Sequence, residues 1–244
     1  MTADTLQYWT YNQHFKSWAP LLAEYERYGE IRPIVADGLD ILAKRLKWRT
    51  AHNFQNVIEI NGGTGTGKST CAIQLAYKLN PKWDLEKNYI YTVKDLKEKL
   101  KDWKNADPIS LFDEGSVVLN SLDTMSKSSK DIVMLFDTMR VLRWTTIICI
   151  PDHNTLNKRV RDFHIDYRLI CPSKPLIKRP EVYDKRGFVE IHNYARSDFG
   201  KGYAPLVMTT TFNDIPPRVR EIYDKIKLDH LMDRMVDFAN EGED

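Results

Sequence analysis

Gly62-Gly63-Thr64-Gly65-Thr66-Gly67-Lys68-Ser69 is the stretch on which the reading of this chain turns. It satisfies G-x-x-x-x-G-K-[ST] at every fixed position. Asn56-Val-Ile-Glu-Ile-Asn61 before it reads as a short apolar strand. Ser69 to Leu79 after it reads as a helix, with Ala72, Ile73, Leu75, Ala76 and Leu79 at helical spacing and Asn80-Pro81 as the stop. Strand, glycine loop and helix are the context a phosphate-binding loop requires. A chain that wraps a phosphate must turn several N–H groups inward, and glycine permits the backbone angles and the close approach. The helix that follows adds its N-terminal N–H groups and its dipole. Gly62, Gly63, Thr64, Gly65, Thr66, Gly67, Lys68, Ser69 and Thr70 are therefore the expected nucleotide ligands. Lys68 would reach the β- and γ-phosphates, and the Ser69 hydroxyl would ligate Mg²⁺ beside ATP.

Outward from the loop, Tyr89 to Val93 is a strand candidate and Asp95 to Trp103 a helix. Ile109-Ser-Leu-Phe-Asp113-Glu114 is then an apolar run ending in two acids, one strand–helix unit after Lys68. That spacing makes it the second half of an ATPase site. Asp113 is expected to hold Mg²⁺, and Glu114 to orient and polarise the attacking water. A helix over Asp131 to Leu142 follows, with Ser128 and Asp131 as a capping box, and it ends near Arg140. Thr145 to Ile150 reads as a buried parallel strand running into Pro151-Asp152-His153-Asn154. Ligands sit at that edge of an open α/β sheet. His153 or Asn154 can sense a γ-phosphate there; a plain turn is the competing reading.

The flanks are less specific. Residues 1–50 carry Tyr8, Trp9, Tyr11, Phe15, Trp18, Tyr25, Tyr28 and Trp48, with helical patterns at Leu21 to Tyr28 and Val35 to Lys47. These aromatics can stack on bases, but docking an added helix on the core is the simpler use. Residues 173–214 hold strand-like runs among Pro and Gly turns. Lys174, Lys178, Arg179, Lys185, Arg186, Arg196 and Lys201 concentrate charge there, interleaved with Tyr183, Tyr194 and Tyr203. That pattern suits a DNA-contacting edge or a solvated surface. In the segment from 215 to 244, Ile222, Ile226, Leu231, Met235 and Phe238 form a stripe read as packing. Asp229, Asp233 and Asp237 read as a solvated face.

Taken together, the Gly62–Ser69 loop, the Asp113-Glu114 pair, the helix end at Arg140 and the strand entering Pro151 resemble the FtsK–HerA division of P-loop ATPases. Small viral and plasmid members, the DNA-packaging and Zot-like ATPases, are the most similar. Leu156 to Asp166 is similar to their arginine-bearing segment, and Ile215 to Lys227 to their closing helix. The family often has Gln at the sensor position, where this chain has His153-Asn154, and Zot-like proteins often carry a membrane span, for which this chain shows no apolar run.

The resemblance implies a RecA-like α/β fold: a mostly parallel sheet flanked by helices, a 51–172 core, and N-terminal helical and C-terminal β/helical additions. It implies an ATP-driven motor on double-stranded DNA, most similar to a viral genome-packaging ATPase, working as a homo-oligomeric ring such as a hexamer. A capsid or membrane protein would dock it. Arg140 is the first choice for an arginine completing a neighbour's site, with Arg161 second and Arg143 and Arg159 behind. Nucleotide-gated assembly without DNA movement is the rival, and a small-molecule kinase a second, although no lid segment is evident.

Composition bounds these readings. Of the 244 residues 42% are hydrophobic and 29% charged, enough to bury a core. A net charge of only +2 requires any nucleic-acid surface to be local. Cys71, Cys149 and Cys171 stand far apart in apolar runs and read as buried thiols of a reducing compartment, cytoplasmic or, for a viral protein, host-cytoplasmic or virion-associated.

Overall fold

Six consecutive buried residues, Asn56–Asn61, form the strand from which the glycine loop departs. A strand buried along its whole length must be covered on both faces, and parallel sheets arise in that setting. The structure is a computed structural model that describes residues 34–35, 37–102, 104, 106–113, 134, 136–172, 187–196, 202–203 and 206–241. The aromatics from Tyr8 to Tyr28, Trp103, Glu114, the 116–130 segment, Lys174 to Arg186, Lys201 and the last three residues lie outside them.

In chain order the elements are β1 (Ile34–Val35), α1 (Gly38–Ala51), β2 (Asn56–Asn61), α2 (Lys68–Leu79), α3 (Leu85–Asn88), β3 (Tyr89–Ile90), α4 (Val93–Lys101) and β4 (Ile109–Phe112). Then come β5 (Thr145–Ile150), α5 (Lys158–Phe163), β6 (Tyr167–Ile170), β7 (Phe188–Asn193), β8 (Ala195–Arg196), β9 (Gly202–Tyr203), β10 (Leu206–Thr211) and α6 (Pro217–Glu241). A helical stretch at 136–141 precedes β5, and a 3-10 turn, His153–Thr155, follows it.

The main sheet has eight strands in the order β1-β10-β7-β6-β2-β5-β4-β3. β7 pairs antiparallel with both neighbours, and every other pairing is parallel. This is an α/β fold with a mostly parallel sheet flanked by helices. Side chains alternate between its two faces. Ile58, Ile60, Cys149 and Leu169 share one core with α1, α2 and the start of α6. Val57, Phe112, Ile148 and Ile150 share the other with Leu96, Phe136, Met139 and Val160. Cys71, Cys149 and Cys171 are free and buried.

The sheet also takes up both flanks. β1 pairs with β10, and β10 with β7, so segments before and after the glycine loop and Asp113 extend the same sheet.

Several expected bounds shift for local reasons. The helix expected from Val35 begins at Gly38, because Ile34–Val35 is committed to pairing with Thr209 and Thr210. The strand expected over 89–93 stops at Ile90. Thr92 instead caps α4 through a box with Asp95, and a residue whose side chain serves a helix N-terminus ends the strand before it. In α6 the stripe read as packing divides. Ile222 and Ile226 pack on the core, whereas Leu231 and Met235 are exposed, as are Leu228 and Met232. The helix runs past the sheet that its first turns cover.

Candidate active site

The loop is shaped by three glycines, Gly62, Gly65 and Gly67, in conformations that side chains avoid. Gly62 has φ of 151° and Gly67 of 90°. A Cβ on Gly62 would lie 2.2 Å from the Cys171 carbonyl oxygen. Gly67 is the left-handed residue from which α2 starts, and a Cβ there would meet the Phe212 ring at 3.1 Å. β10 therefore ends with an aromatic ring placed against the loop. The Lys68 ammonium donates to the carbonyls of Gly62 at 2.9 Å and Gly63 at 2.8 Å, which holds it at the mouth of the loop.

Asp113, at the end of β4, faces the first turn of α2. The Ser69 hydroxyl donates to its Oδ1 at 2.8 Å. The strand between them in the sheet is β5, whose end contributes Cys149, Ile150 and Pro151 to the same cavity. That cavity, about 430 Å³, also takes in the loop, Phe212 and one face of α6.

The Asp113 carboxyl is itself buried. Tyr223 donates to its Oδ2 at 2.7 Å and Tyr89 at 3.2 Å, and Lys227 lies 3.5 Å from the same oxygen. A buried carboxylate needs such donors, since burying a charge without partners is costly. Burial, and then the Asp113 charge, raises both phenols well above their usual range, so both stay protonated donors. Two of these groups come from α6. Arg220, on the same helix, donates to Thr70 Oγ1 at 3.3 Å and pairs with Asp214. Sequence reasoning assigned none of Tyr89, Arg220, Tyr223 and Lys227 to the site. The spacing of Arg220, Tyr223 and Lys227 on α6 marks one helical face, but only the tertiary fold says what that face meets.

Mg²⁺ fits the donors present. A hydroxyl and a carboxylate oxygen are hard ligands, and they stand within hydrogen-bonding distance of each other at the loop. Among the described residues no trio of His, Cys, Asp or Glu gathers to cage a metal. Mg²⁺ in phosphate sites ordinarily relies on one or two protein ligands, waters and the phosphates themselves.

The other sequence candidates sit elsewhere. His153 and Asn154 do not line the cavity. His153 Nδ1 lies 2.6 Å from Glu59, a fully buried carboxylate in the middle of β2. Glu59 also accepts from Asn61 at 2.6 Å and lies 3.4 Å from Arg168. Asn154 accepts from Arg161 at 3.2 Å. His153 is thus tied, through Glu59, to Asn61, the residue just before Gly62. Arg140, Arg143 and Arg159 are exposed, and neither they nor Arg161 line the cavity.

No family model matches the chain, and no curated protein matches it. Solved structures do. The genome packaging NTPase B204 from Sulfolobus turreted icosahedral virus 2, in complex with ATP-gammaS, is 11% identical over 66% of this chain and 98% of its own, with a TM-score of 0.38. The same protein with AMPPCP gives 10% identity, 66% and 99% coverage, and a TM-score of 0.40. The DNA-packaging ATPase B204 from Sulfolobus turreted icosahedral virus gives 12%, 62% and 97%, and 0.38. At that identity and score the likeness assigns neither an activity nor a partner. Among the described residues no helix is long and apolar enough to cross a membrane.

Proposed function

We propose that this chain binds and hydrolyses ATP at the Gly62–Ser69 loop and couples turnover to the movement of double-stranded DNA. The observation that carries the hydrolytic half is the 2.8 Å contact between Ser69, at the start of α2, and Asp113, at the end of β4. Two motifs distant in sequence meet there, which supports one shared site for a metal-bound triphosphate. The loop N–H groups and the α2 dipole would receive the β-phosphate. Lys68 would exchange its two carbonyl acceptors for phosphate oxygens. Mg²⁺, held by Ser69 and Asp113, would neutralise charge developing on the phosphates. Glu114, next in sequence to Asp113, would orient the attacking water.

The motor reading rests on the resemblance to FtsK–HerA ATPases and on the basic 174–201 region. In it, Arg140 of one subunit completes the site of the next within a ring. If so, Arg140→Ala and Lys68→Ala subunits, each inactive alone, regain turnover when mixed, because some interfaces then pair an intact loop with an intact arginine. Failure to recover in mixtures whose assembly is confirmed by sedimentation rejects that role. The proposal as a whole is tested by measuring phosphate release with and without duplex DNA. Turnover stimulated by the duplex is the expected result. Turnover indifferent to DNA would leave a nucleotide-gated assembly protein, and consumption of ATP only with an added acceptor would make it a kinase.

A further inference from the structure

We infer that α6 supplies two phosphate ligands to the nucleotide site of its own subunit, the Arg220 guanidinium and the Lys227 ammonium. The inference rests on the ATP-binding reading above and deepens it. Arg220, Tyr223 and Lys227 are spaced i, i+3 and i+7, so they share one face of the helix. All three line the cavity formed by the glycine loop and Asp113. The buried Tyr223 hydroxyl anchors that face to Asp113 at 2.7 Å. Anchoring at the middle residue fixes both cationic heads against the cavity wall, one on each side of it.

Arg220 stands at the loop end. It donates to Thr70, which follows Ser69 in the first turn of α2, where helix N–H groups favour an anion. Lys227 stands at the metal end, 3.5 Å from Asp113. Both keep partial access to solvent, at 34% and 38% of their side-chain surface, so neither is sealed into the core. Their carboxylate partners, Asp214 and Asp113, also line the cavity.

Charge gives the reason for two more cations. With Lys68, Arg220 and Lys227 against Asp113 and Asp214, the described lining residues carry a formal charge of +1. Without the two α6 residues the same wall would carry −1 and would repel a triphosphate that stays anionic even with one Mg²⁺ bound. A planar guanidinium suits two phosphate oxygens at once, and an ammonium suits a point of concentrated charge. None of Arg140, Arg143, Arg159 and Arg161 lines this cavity in its own subunit, so among the described residues the guanidinium on its wall is that of Arg220 on α6.

The test is competitive displacement of a fluorescent ATP analogue by ATP and by AMP, on the full chain, with unfolding midpoints recorded for each variant. Arg220→Ala and Lys227→Ala are each expected to weaken ATP by about tenfold or more, the scale of one charge-assisted hydrogen bond, at unchanged unfolding midpoints. Lys227→Ala should leave AMP within about twofold, because AMP lacks the phosphates that lie near Asp113. Asp214→Asn releases Arg220 from its carboxylate and should bind ATP at least as well as the wild type. Wild-type ATP affinity in both alanine variants, with Lys68→Ala defective, overturns the inference and leaves the ATP site standing. So does a parallel loss of affinity and stability in Arg220→Ala and Asp214→Asn, which would make the pair a structural clip. A wild-type chain that binds no ATP removes the nucleotide reading and this inference with it.

Discussion

Asp113 and its donors show how much one residue's role depends on groups remote in sequence. The loop and Asp113, which the structure brings together, stand out in the sequence because their pattern is local: a glycine loop, a lysine, a hydroxyl, then an acid after an apolar run. Tyr89, Tyr223 and Lys227 were not legible, because nothing in their neighbourhoods says that three chain segments converge on one carboxylate. Glu59 was hidden for the opposite reason. An acid inside an apolar strand reads as an interruption, and only the fold supplies Asn61, His153 and Arg168 around it. At this scale the division of labour between Lys68 and Glu114 is testable. Lys68 acts through charge on the phosphates and Glu114 through water, so Glu114→Gln should bind ATP normally and hydrolyse it at least about a hundredfold more slowly. Single-turnover kinetics alongside equilibrium binding measure the two separately. Wild-type turnover in Glu114→Gln removes that residue from the mechanism.

Among the elements, β2, α2, β4 and β5 were readable from periodicity and length, because each is either buried throughout or amphipathic at one period. β1 and β3 were not. Two-residue strands have no period, and their pairing is decided by neighbours such as β10 and β4. The α4 element carries a pH-dependent term of its own. Lys99 donates to Asn88 and to the Ile109 carbonyl beneath Trp144. Burial lowers its pKa to about 7, against 10.5 for a free lysine. Between those values the unfolded chain holds a proton that the folded chain has released, so stability rises with pH through that window. Above about 10 the order reverses, since the raised Tyr89 and Tyr223 phenols keep protons that unfolded tyrosines lose. Denaturant midpoints should therefore climb from pH 7 to 9 in the wild type, by at most about 1.4 kcal/mol per unit from this lysine. Lys99→Met should flatten the climb. An undiminished climb in that variant would assign it to another group.

Over the whole molecule, the fold class was legible and the way its parts join was not. The motifs imply a parallel sheet, but they do not say that β7 reverses or that β1 enters by way of β10. Those pairings link residues far apart in the chain, and a local pattern cannot encode a partner. The DNA surface belongs to this scale as well. If Lys178, Arg179, Lys185 and Arg186 neutralise DNA phosphates, replacing all four with uncharged residues should weaken duplex binding. It should also make the slope of log affinity against log salt shallower, by about one unit for each phosphate no longer neutralised. An unchanged slope places the DNA surface outside these four residues.

The central claim is that the Gly62–Ser69 loop and Asp113 together form one ATP site. Titration calorimetry of ATP with Mg²⁺ into the wild-type chain and into Lys68→Ala addresses it most directly. The account predicts saturable binding at about one nucleotide per chain in the wild type and none measurable in the variant. Equal binding by the two, or no binding by the wild type, would contradict it.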